Sequence, residues 1–162
     1  MAVSIGLAIP LISSGPVHAA LTVRGPIYIN GNDNFTSGNG VNGGGSGTLG
    51  NPYIMENWYI SAENANGIEV RNTTSYFIIR NCYVDNGDDL YDGIYFENVR
   101  NGKIYGVRSE NNFIGINIYS SSNTIVENST TLSNQYGISF SDSSGNVVEN
   151  CTVSNNSSQG IH

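Results

Sequence analysis

The chain has 162 residues and carries little charge, since Asp, Glu, Lys and Arg make up 12% of it and the net charge is −7. This length suits one domain, and the acidic balance argues against the basic surface that nucleic-acid binding requires. Beyond residue 20 the sequence shows neither the 3.6-residue apolar period of helices nor their usual richness in Ala, Leu, Glu and Lys. We therefore expect an all-β protein that does not bind nucleic acid.

Residues 1–19 have the pattern of a secretory signal peptide. Residues 1–12 are mostly apolar and uncharged, residues 13–16 interrupt this run, and small residues precede Ala20. The basic leading segment of such signals is missing, so we expect a truncated start; a buried strand or a short anchor is the alternative. No later stretch approaches the roughly 18 apolar residues of a membrane span. We expect the mature chain to be secreted, at the cell surface or in the periplasm, without a membrane span.

Residues 20–53 are predicted to form an N-terminal cap with a flexible loop. Residues 26–30 alternate apolar and polar side chains, as a short strand does, and residues 36–51 consist mainly of Gly, Asn, Ser and Thr. Residues 54–162 repeat, and the last repeat is cut off. We expect this part to be incomplete at its C-terminal end, with an open last coil that can pair end to end with another chain.

Two series of residues recur in phase and mark the repeat. The first is a position held by Asn or Gly, residue types that tolerate a left-handed backbone, and its spacings are 24, 25, 22 and 22 residues. The second begins with Gly-Ile and recurs after 26, 22, 22 and 23 residues. Two signals with one period predict a repeat architecture. The members of the first series are Asn57, Asn81, Gly106, Asn128 and Asn150.

This period of about 22–25 residues, with short strands and polar turns, predicts a single-stranded parallel β-helix of about five coils. Equivalent residues of neighbouring coils would stack about 4.8 Å apart, so that the coils bury their apolar side chains against one another. The Asn/Gly position is expected at a bend with positive φ, where stacked Asn side chains form a hydrogen-bonded ladder. A leucine-rich repeat would need regular Leu and a helix in each repeat, which the sequence does not show.

A family resemblance is carried by three segments, Pro26-Ile27-Tyr28-Ile29, Asn51-Pro52-Tyr53-Ile54 and Tyr76-Phe77-Ile78-Ile79-Arg80-Asn81-Cys82. From about Pro26 to its end, the chain resembles right-handed parallel β-helix proteins, in particular the NosD-like surface and periplasmic proteins of archaea. The resemblance implies a right-handed helix whose first coil is capped by residues 26–54. It does not imply one activity, because this fold hosts lyases, hydrolases, epimerases, adhesins and accessory proteins.

Copper is the metal that the NosD-like resemblance implies, since such proteins serve the assembly of a copper enzyme. Copper prefers His, Cys and Met ligands. The two histidines are His18, in the predicted signal peptide, and His162, the last residue, while Met55 is predicted to point inward. We therefore expect no copper site within these residues, and the role of an accessory protein in metalloenzyme maturation stays the least favoured alternative.

Segment 85–92 is about three residues longer than the same part of the next repeat and is rich in carboxylates. Its acidic side chains can supply the oxygen ligands of Ca²⁺, the one candidate cofactor of a chain that we expect to require none. In polysaccharide lyases of similar fold acidic residues hold Ca²⁺, and in hydrolases of that fold paired Asp residues act as acid and base. Asp88 and Asp89 resemble such a pair, while a solvated loop without a ligand is the alternative. The candidate calcium ligands are Asp85, Asp88, Asp89 and Asp92.

The two cysteines are predicted to be free. Cys82 and Cys151 occupy the same column three coils apart, which places them roughly 14 Å from each other. A disulfide requires Cα atoms within about 7 Å. We therefore expect two thiols that act as small core residues.

Outward-facing tyrosines are candidate ligand-binding residues. The column alignment makes Tyr59 and Tyr83 neighbours on one face with Arg108 next in their column, and it places Tyr95 on another strand beside Glu69 and Asn117. Flat aromatic faces flanked by polar groups suit sugar binding, although the strand preference of Tyr alone accounts for the same pattern.

Sequons for N-glycosylation occur in the predicted turns at Asn34 and Asn72, which are the better acceptors if the host has the machinery.

The function that we expect is non-catalytic: an exported cell-surface or periplasmic β-helix module with a structural role or a role in carbohydrate recognition. Its partner would be a polysaccharide or a cell-envelope glycan. The alternative is a carbohydrate-active enzyme of the polysaccharide lyase or glycoside hydrolase type that uses the acidic loop 85–92. An enzyme should show converging carboxylates or Ca²⁺ beside a long strand face, whereas a recognition module should show exposed aromatic residues without that convergence.

Overall fold

The computed structural model describes residues 20–162, so the predicted signal peptide lies outside the described residues. The described part contains eighteen short strands, one 3₁₀ turn at Asn32–Asn34 and no α-helix. The strands are β1 (Thr22–Arg24), β2 (Ile27–Asn30), β3 (Gly43–Thr48), β4 (Asn51–Glu56), β5 (Trp58–Ser61), β6 (Ile68–Thr73), β7 (Phe77–Arg80), β8 (Tyr83–Asp85), β9 (Ile94–Val99), β10 (Gly102–Tyr105), β11 (Arg108–Glu110), β12 (Ile114–Tyr119), β13 (Ile125–Glu127), β14 (Thr130–Leu132), β15 (Tyr136–Ser141), β16 (Val147–Glu149), β17 (Thr152–Ser154) and β18 (Gln159–Ile161).

These strands form three sheets that run the length of the described chain. The first sheet has the order β2-β6-β9-β12-β15-β18, the second β3-β4-β7-β10-β13-β16, and the third β1-β5-β8-β11-β14-β17. Each coil visits the first, second and third sheets in turn and then pairs with the next coil in parallel. The predicted all-β parallel β-helix of about five coils is thereby confirmed.

The core consists of columns of equivalent side chains, as the repeat predicts. In the second sheet Met55 pairs with Ile79, Ile79 with Ile104, and Ile104 with Val126, and all four side chains are fully buried. The first sheet adds a second column of buried residues. Because no coil covers its own apolar residues, burial depends on the neighbouring coils. The residues of this second column are Ile27, Ile68, Ile94, Ile116 and Ile138.

The bend between the second and third sheets has the predicted left-handed backbone in every coil. The φ angles of the Asn/Gly column lie between 48° and 60°. Gly tolerates this conformation because it has no Cβ, and Asn does so because its short polar side chain can hydrogen-bond to the nearby backbone. The predicted hydrogen-bonded ladder is wrong for most of the column. Among residues 20–162 it contains one amide–amide bond, from Asn81 Nδ2 to Asn57 Oδ1 at 2.6 Å, and the side chain that would continue it is missing at Gly106.

A longer amide ladder lies at the bend between the first and second sheets. Asn72 Nδ2 donates to Asn30 Oδ1 at 2.8 Å, and Asn98 Nδ2 donates to Asn72 Oδ1 at 2.9 Å. At the third bend, side-chain oxygens of Asn134 and Asn156 accept from backbone N–H groups of the preceding coil at 2.9 and 3.0 Å. Asn side chains at all three bends therefore join neighbouring coils, although not every pair of coils at each bend.

The stack begins earlier than the predicted boundary at residue 54. Strand β1 pairs with β5 and strand β2 with β6, both in parallel, so the cap region supplies the first row of two sheets. Strand β3 instead pairs with β4 in the antiparallel sense and forms the edge of the second sheet. The loop that was expected to be flexible thus contains an ordered edge strand.

Both cysteines are free. They precede strands β8 and β17, which are separated in the third sheet by β11 and β14. Burial raises the pKa of the Cys82 thiol to about 11, so it stays protonated at neutral pH. Each thiol lies within hydrogen-bond reach of the backbone oxygen two residues before it, Arg80 O for Cys82 and Glu149 O for Cys151, both at 3.3 Å, and of a backbone oxygen in the preceding coil.

Residues 20–162 contain no helix of the length and apolar character that crossing a membrane requires.

The left-handed backbone at Asn128 predicts which substitutions there lower stability. Its φ is 50° and its side chain is exposed. Asn128→Val should lower the free energy of unfolding by about 1–2 kcal/mol, because a β-branched side chain is strained at positive φ. Asn128→Gly removes the same exposed amide without this strain and should be tolerated far better. Urea unfolding of both variants measures the difference, and equal stability of the two would contradict the account of the bend.

Candidate functional site

The outer surface of the third sheet carries a row of tyrosines. Strand alternation turns Ile60 and Val84 into the core and their neighbours Tyr59 and Tyr83 outward. The two tyrosines are paired in register, with ring centroids 5.4 Å apart and planes at 53°. Arg108 is the next residue in this row. We use the name tyrosine face for Tyr59, Tyr83, Asp85, Arg108 and Glu110.

Carboxylates hold both tyrosine rings in place. The hydroxyl of Tyr59 donates to Asp85 Oδ2 at 3.4 Å, and the hydroxyl of Tyr83 donates to Glu110 Oε1. The guanidinium of Arg108 pairs with Glu110 Oε2 and lies 5.8 Å from the centroid of the Tyr83 ring. The five side chains therefore form one connected cluster, in which the rings are oriented before any ligand arrives.

The ionisation of this cluster is set by burial and by its own charges. Burial, followed by the hydrogen bond to Glu110, raises the pKa of Tyr83 well above its usual range. Burial and the Asp85 carboxylate likewise raise the pKa of Tyr59. The Glu110 carboxylate raises the pKa of Arg108. At neutral pH the tyrosines are thus uncharged hydrogen-bond donors and Arg108 is a cation.

Asp85 is the unusual member of the tyrosine face. Only 9% of the residue is exposed, and its Oδ1 is buried without a hydrogen-bond partner. Its Oδ2 accepts the long bond from Tyr59. The tyrosine face contains two carboxylates, Asp85 and Glu110, and one guanidinium, that of Arg108, so it has an excess of negative charge.

The acidic loop does not bring its four carboxylates together, which corrects the picture of one calcium cluster. Asp85 belongs to the third sheet, whereas Asp92 lies at the first sheet, because the loop between them turns the corner that separates the two. Asp88 and Asp89 are exposed at the rim of an open polar groove of about 470 Å³. In the described chain, no three His, Cys, Asp or Glu side chains are grouped so that they could hold a metal ion.

Asp92 is buried with 7% exposure. Its Oδ1 accepts from the Ile114 N–H at 3.2 Å and its Oδ2 from Asn117 Nδ2 at 2.8 Å. Burial raises the pKa of the Asp92 carboxyl to about 6, although these two hydrogen bonds oppose the rise. Perturbed carboxyls of this kind are common at functional sites and also occur in structural networks.

The outer surface of the first sheet carries the second predicted aromatic residue. Tyr95 lies between Glu69 and Asn117 in register, as the column alignment places it. Arg71, whose role the sequence did not indicate, lies 4.9 Å from the centroid of the Tyr95 ring and pairs with Glu69 and Glu97. A shallow groove of about 370 Å³ continues from Tyr95 along this sheet toward the last coil.

The residues that could bind copper have different surroundings in the structure. Met55 is fully buried in the core. The ring of His162 packs against Tyr136, with centroids 5.1 Å apart. His18 lies outside the described residues.

The two glycosylation candidates differ in their surroundings. The amide of Asn72 is engaged on both sides by the ladder with Asn30 and Asn98, so a glycan there would break a bond between coils. Asn34 ends the 3₁₀ turn and is partly exposed. Asn72 is the more exposed of the two, but its amide is the one engaged between coils.

The three parallel sheets and their in-register columns define a single-stranded parallel β-helix. A family model described as "Right handed beta helix region" matches residues 24–162, and the chain belongs to this family. Comparison with curated proteins and with solved structures gave no match.

The raised pKa of Asp92 predicts that the free energy of unfolding depends on pH. Its pKa is about 6 in the folded chain, against 3.8 ordinarily. Between these values the folded chain keeps a proton that the unfolded chain has released, so the contribution of Asp92 to stability is greatest at low pH and is lost as pH rises through about 6. The full change is about 3 kcal/mol.

Urea unfolding at several pH values between about 4 and 8 tests this for the wild type and for Asp92→Asn. The variant cannot ionise at this position, so the free-energy difference between the two proteins should change across that range in favour of the variant at high pH. A pH-independent difference would show that Asp92 titrates normally.

Proposed function

We propose that this β-helix is a recognition module that binds carbohydrate on the tyrosine face. The observation that carries the proposal is the pair of outward rings at Tyr59 and Tyr83, which lie side by side on a solvent-facing sheet and are anchored by Asp85 and Glu110. Aromatic faces bind the apolar faces of sugar rings, while neighbouring polar groups bind their hydroxyls. Because the rings are held before binding, little conformational entropy is lost when a sugar stacks on them.

We also propose that the chain is exported and that its partner is a glycan outside the cell membrane. A signal peptide at residues 1–19 would export the chain, and a polysaccharide or a cell-envelope glycan would then be within reach. The NosD-like relationship is likewise a proposal, supported by the lead-in segments between Pro26 and Ile54. A purely structural role is the outcome if no glycan binds.

A second candidate function, that of a carbohydrate-active enzyme, is favoured by one observation. Asp92 is a buried carboxyl with a pKa of about 6, at the edge of the long-stranded first sheet and near Glu69 and Tyr95. A carboxyl with such a pKa can donate a proton near neutral pH. Glu69 and Glu97 are both engaged by Arg71, however, so Asp92 has no free carboxylate partner among them. Recognition is therefore the better supported function.

Replacement of the paired tyrosines tests the proposed function. In a glycan array followed by calorimetry, Tyr59→Ala and Tyr83→Ala should each weaken binding about tenfold, because each removes a stacking surface. Tyr105→Ala is the matched control, since Tyr105 is a 41% exposed tyrosine on the second sheet. Unchanged affinity in both variants would exclude the tyrosine face, and release of reducing ends from a bound polysaccharide would favour the enzyme.

A further inference from the structure

We infer that the glycan bound on the tyrosine face is cationic, namely an oligosaccharide whose sugars carry free amino groups. This inference rests on the proposed function and names the ligand class for the same site. It follows from three properties of the face: an excess of acceptors, a buried carboxylate oxygen without a partner, and two aromatic rings beside it.

The charge of the face opposes an acidic glycan. Arg108 is the cation of the cluster, and its guanidinium is already paired with Glu110. Asp85 adds a second carboxylate, and the exposed side chains of Asp88 and Asp89 follow it at the corner of the coil. The whole chain has a net charge of −7. A uronate would meet two carboxylates and one guanidinium that is already paired, whereas an ammonium group would be attracted.

Asp85 supplies the specific contact. A buried carboxylate oxygen that accepts no hydrogen bond has lost its water without compensation, and a donor placed there restores the lost interaction. An ammonium group carries three donors and a positive charge, so it satisfies such an oxygen better than a sugar hydroxyl does. The 3.4 Å bond from Tyr59 to Asp85 Oδ2 is at the long limit for a hydrogen bond, so Tyr59 leaves this carboxylate able to accept a second, stronger donor.

The tyrosine rings favour the same ligand. A cation placed over the face of Tyr59 or Tyr83 is attracted by the ring quadrupole, in addition to the stacking of the sugar itself. The guanidinium of Arg108 already lies 5.8 Å from the centroid of Tyr83, whereas Tyr59 has no such cation over it among the described contacts. The position over Tyr59, next to Asp85, is therefore where we place the amino group.

Calorimetry with three probes of equal length tests the inference: a chitosan oligosaccharide with free amines, the fully N-acetylated chitin oligosaccharide, and an oligogalacturonate. The full chain is used at about pH 6, where the sugar amines are protonated. We expect the free-amine probe to bind at least about tenfold more tightly than the acetylated probe, no binding of the oligogalacturonate, and weaker binding as salt is added.

Asp85→Asn is the decisive variant, because it keeps the shape of the side chain and removes its charge. It should weaken binding of the free-amine probe about tenfold and bring it close to that of the acetylated probe. Asp33→Asn makes the same charge change at an exposed site on the 3₁₀ turn and should leave binding unchanged. Thermal unfolding should show that Asp85→Asn is at least as stable as the wild type, so lost binding would not reflect lost folding.

Three outcomes would overturn the inference, and a fourth concerns the proposed function. Equal binding of the acetylated and free-amine probes, or tighter binding of the oligogalacturonate, would show that the site does not select a cationic glycan while leaving carbohydrate recognition intact. The same conclusion follows if Asp85→Asn binds the free-amine probe like the wild type. Failure of all three probes and of a wider glycan array would instead contradict the proposed function itself.

Discussion

The structure depends on one constraint, namely that each coil must bend sharply enough to return directly above the previous one. At the bend between the second and third sheets this requires a left-handed residue in each coil, at Asn57, Asn81, Gly106, Asn128 and Asn150. The bend keeps the strands in register, so that equivalent residues pair across every sheet. Register in turn decides which side chains enter the core and which form rows on the surface. The tyrosine face is one of these surface rows.

The strand register and the columns of side chains could be predicted from the sequence, because equivalent residues of successive repeats pair with one another. Aligning the Asn/Gly positions was enough to place Met55 over Ile79 and Tyr59 beside Tyr83. Aligning the Gly-Ile series placed Tyr95 between its neighbours. Backbone pairing repeats with the same period as the sequence, so column membership follows from counting. The antiparallel edge strand β3 was not predictable in this way, since it lies outside the repeat in a Gly-rich segment.

Contacts between side chains could not be predicted because they depend on the geometry within a column. The ladder expected at Asn57 and Asn81 ends at Gly106, while the longer ladder formed at Asn72 and Asn98. A signal for part of it existed, since Asn72 and Asn98 each stand four residues after a member of the apolar core column of the first sheet, whereas Asn30 stands three residues after Ile27 and pairs with Arg71. The burial of Asp92 and the missing partner of Asp85 had no such signal. Burial and hydrogen-bond partners at the two ends of loop 86–92 depend on its three-dimensional course, which residue counting alone does not describe.

The protein therefore combines a regular β-helix with one surface where aromatic rings and carboxylates meet, and the location of a bound ligand tests the proposed role of that surface most directly. A crystal structure of the chain with a bound oligosaccharide should show a sugar ring in contact with both Tyr59 and Tyr83, with its polar substituent directed at Asp85. A sugar bound instead in the groove beside Tyr95, or tyrosines 59 and 83 that are not neighbours in the third sheet, would contradict the account.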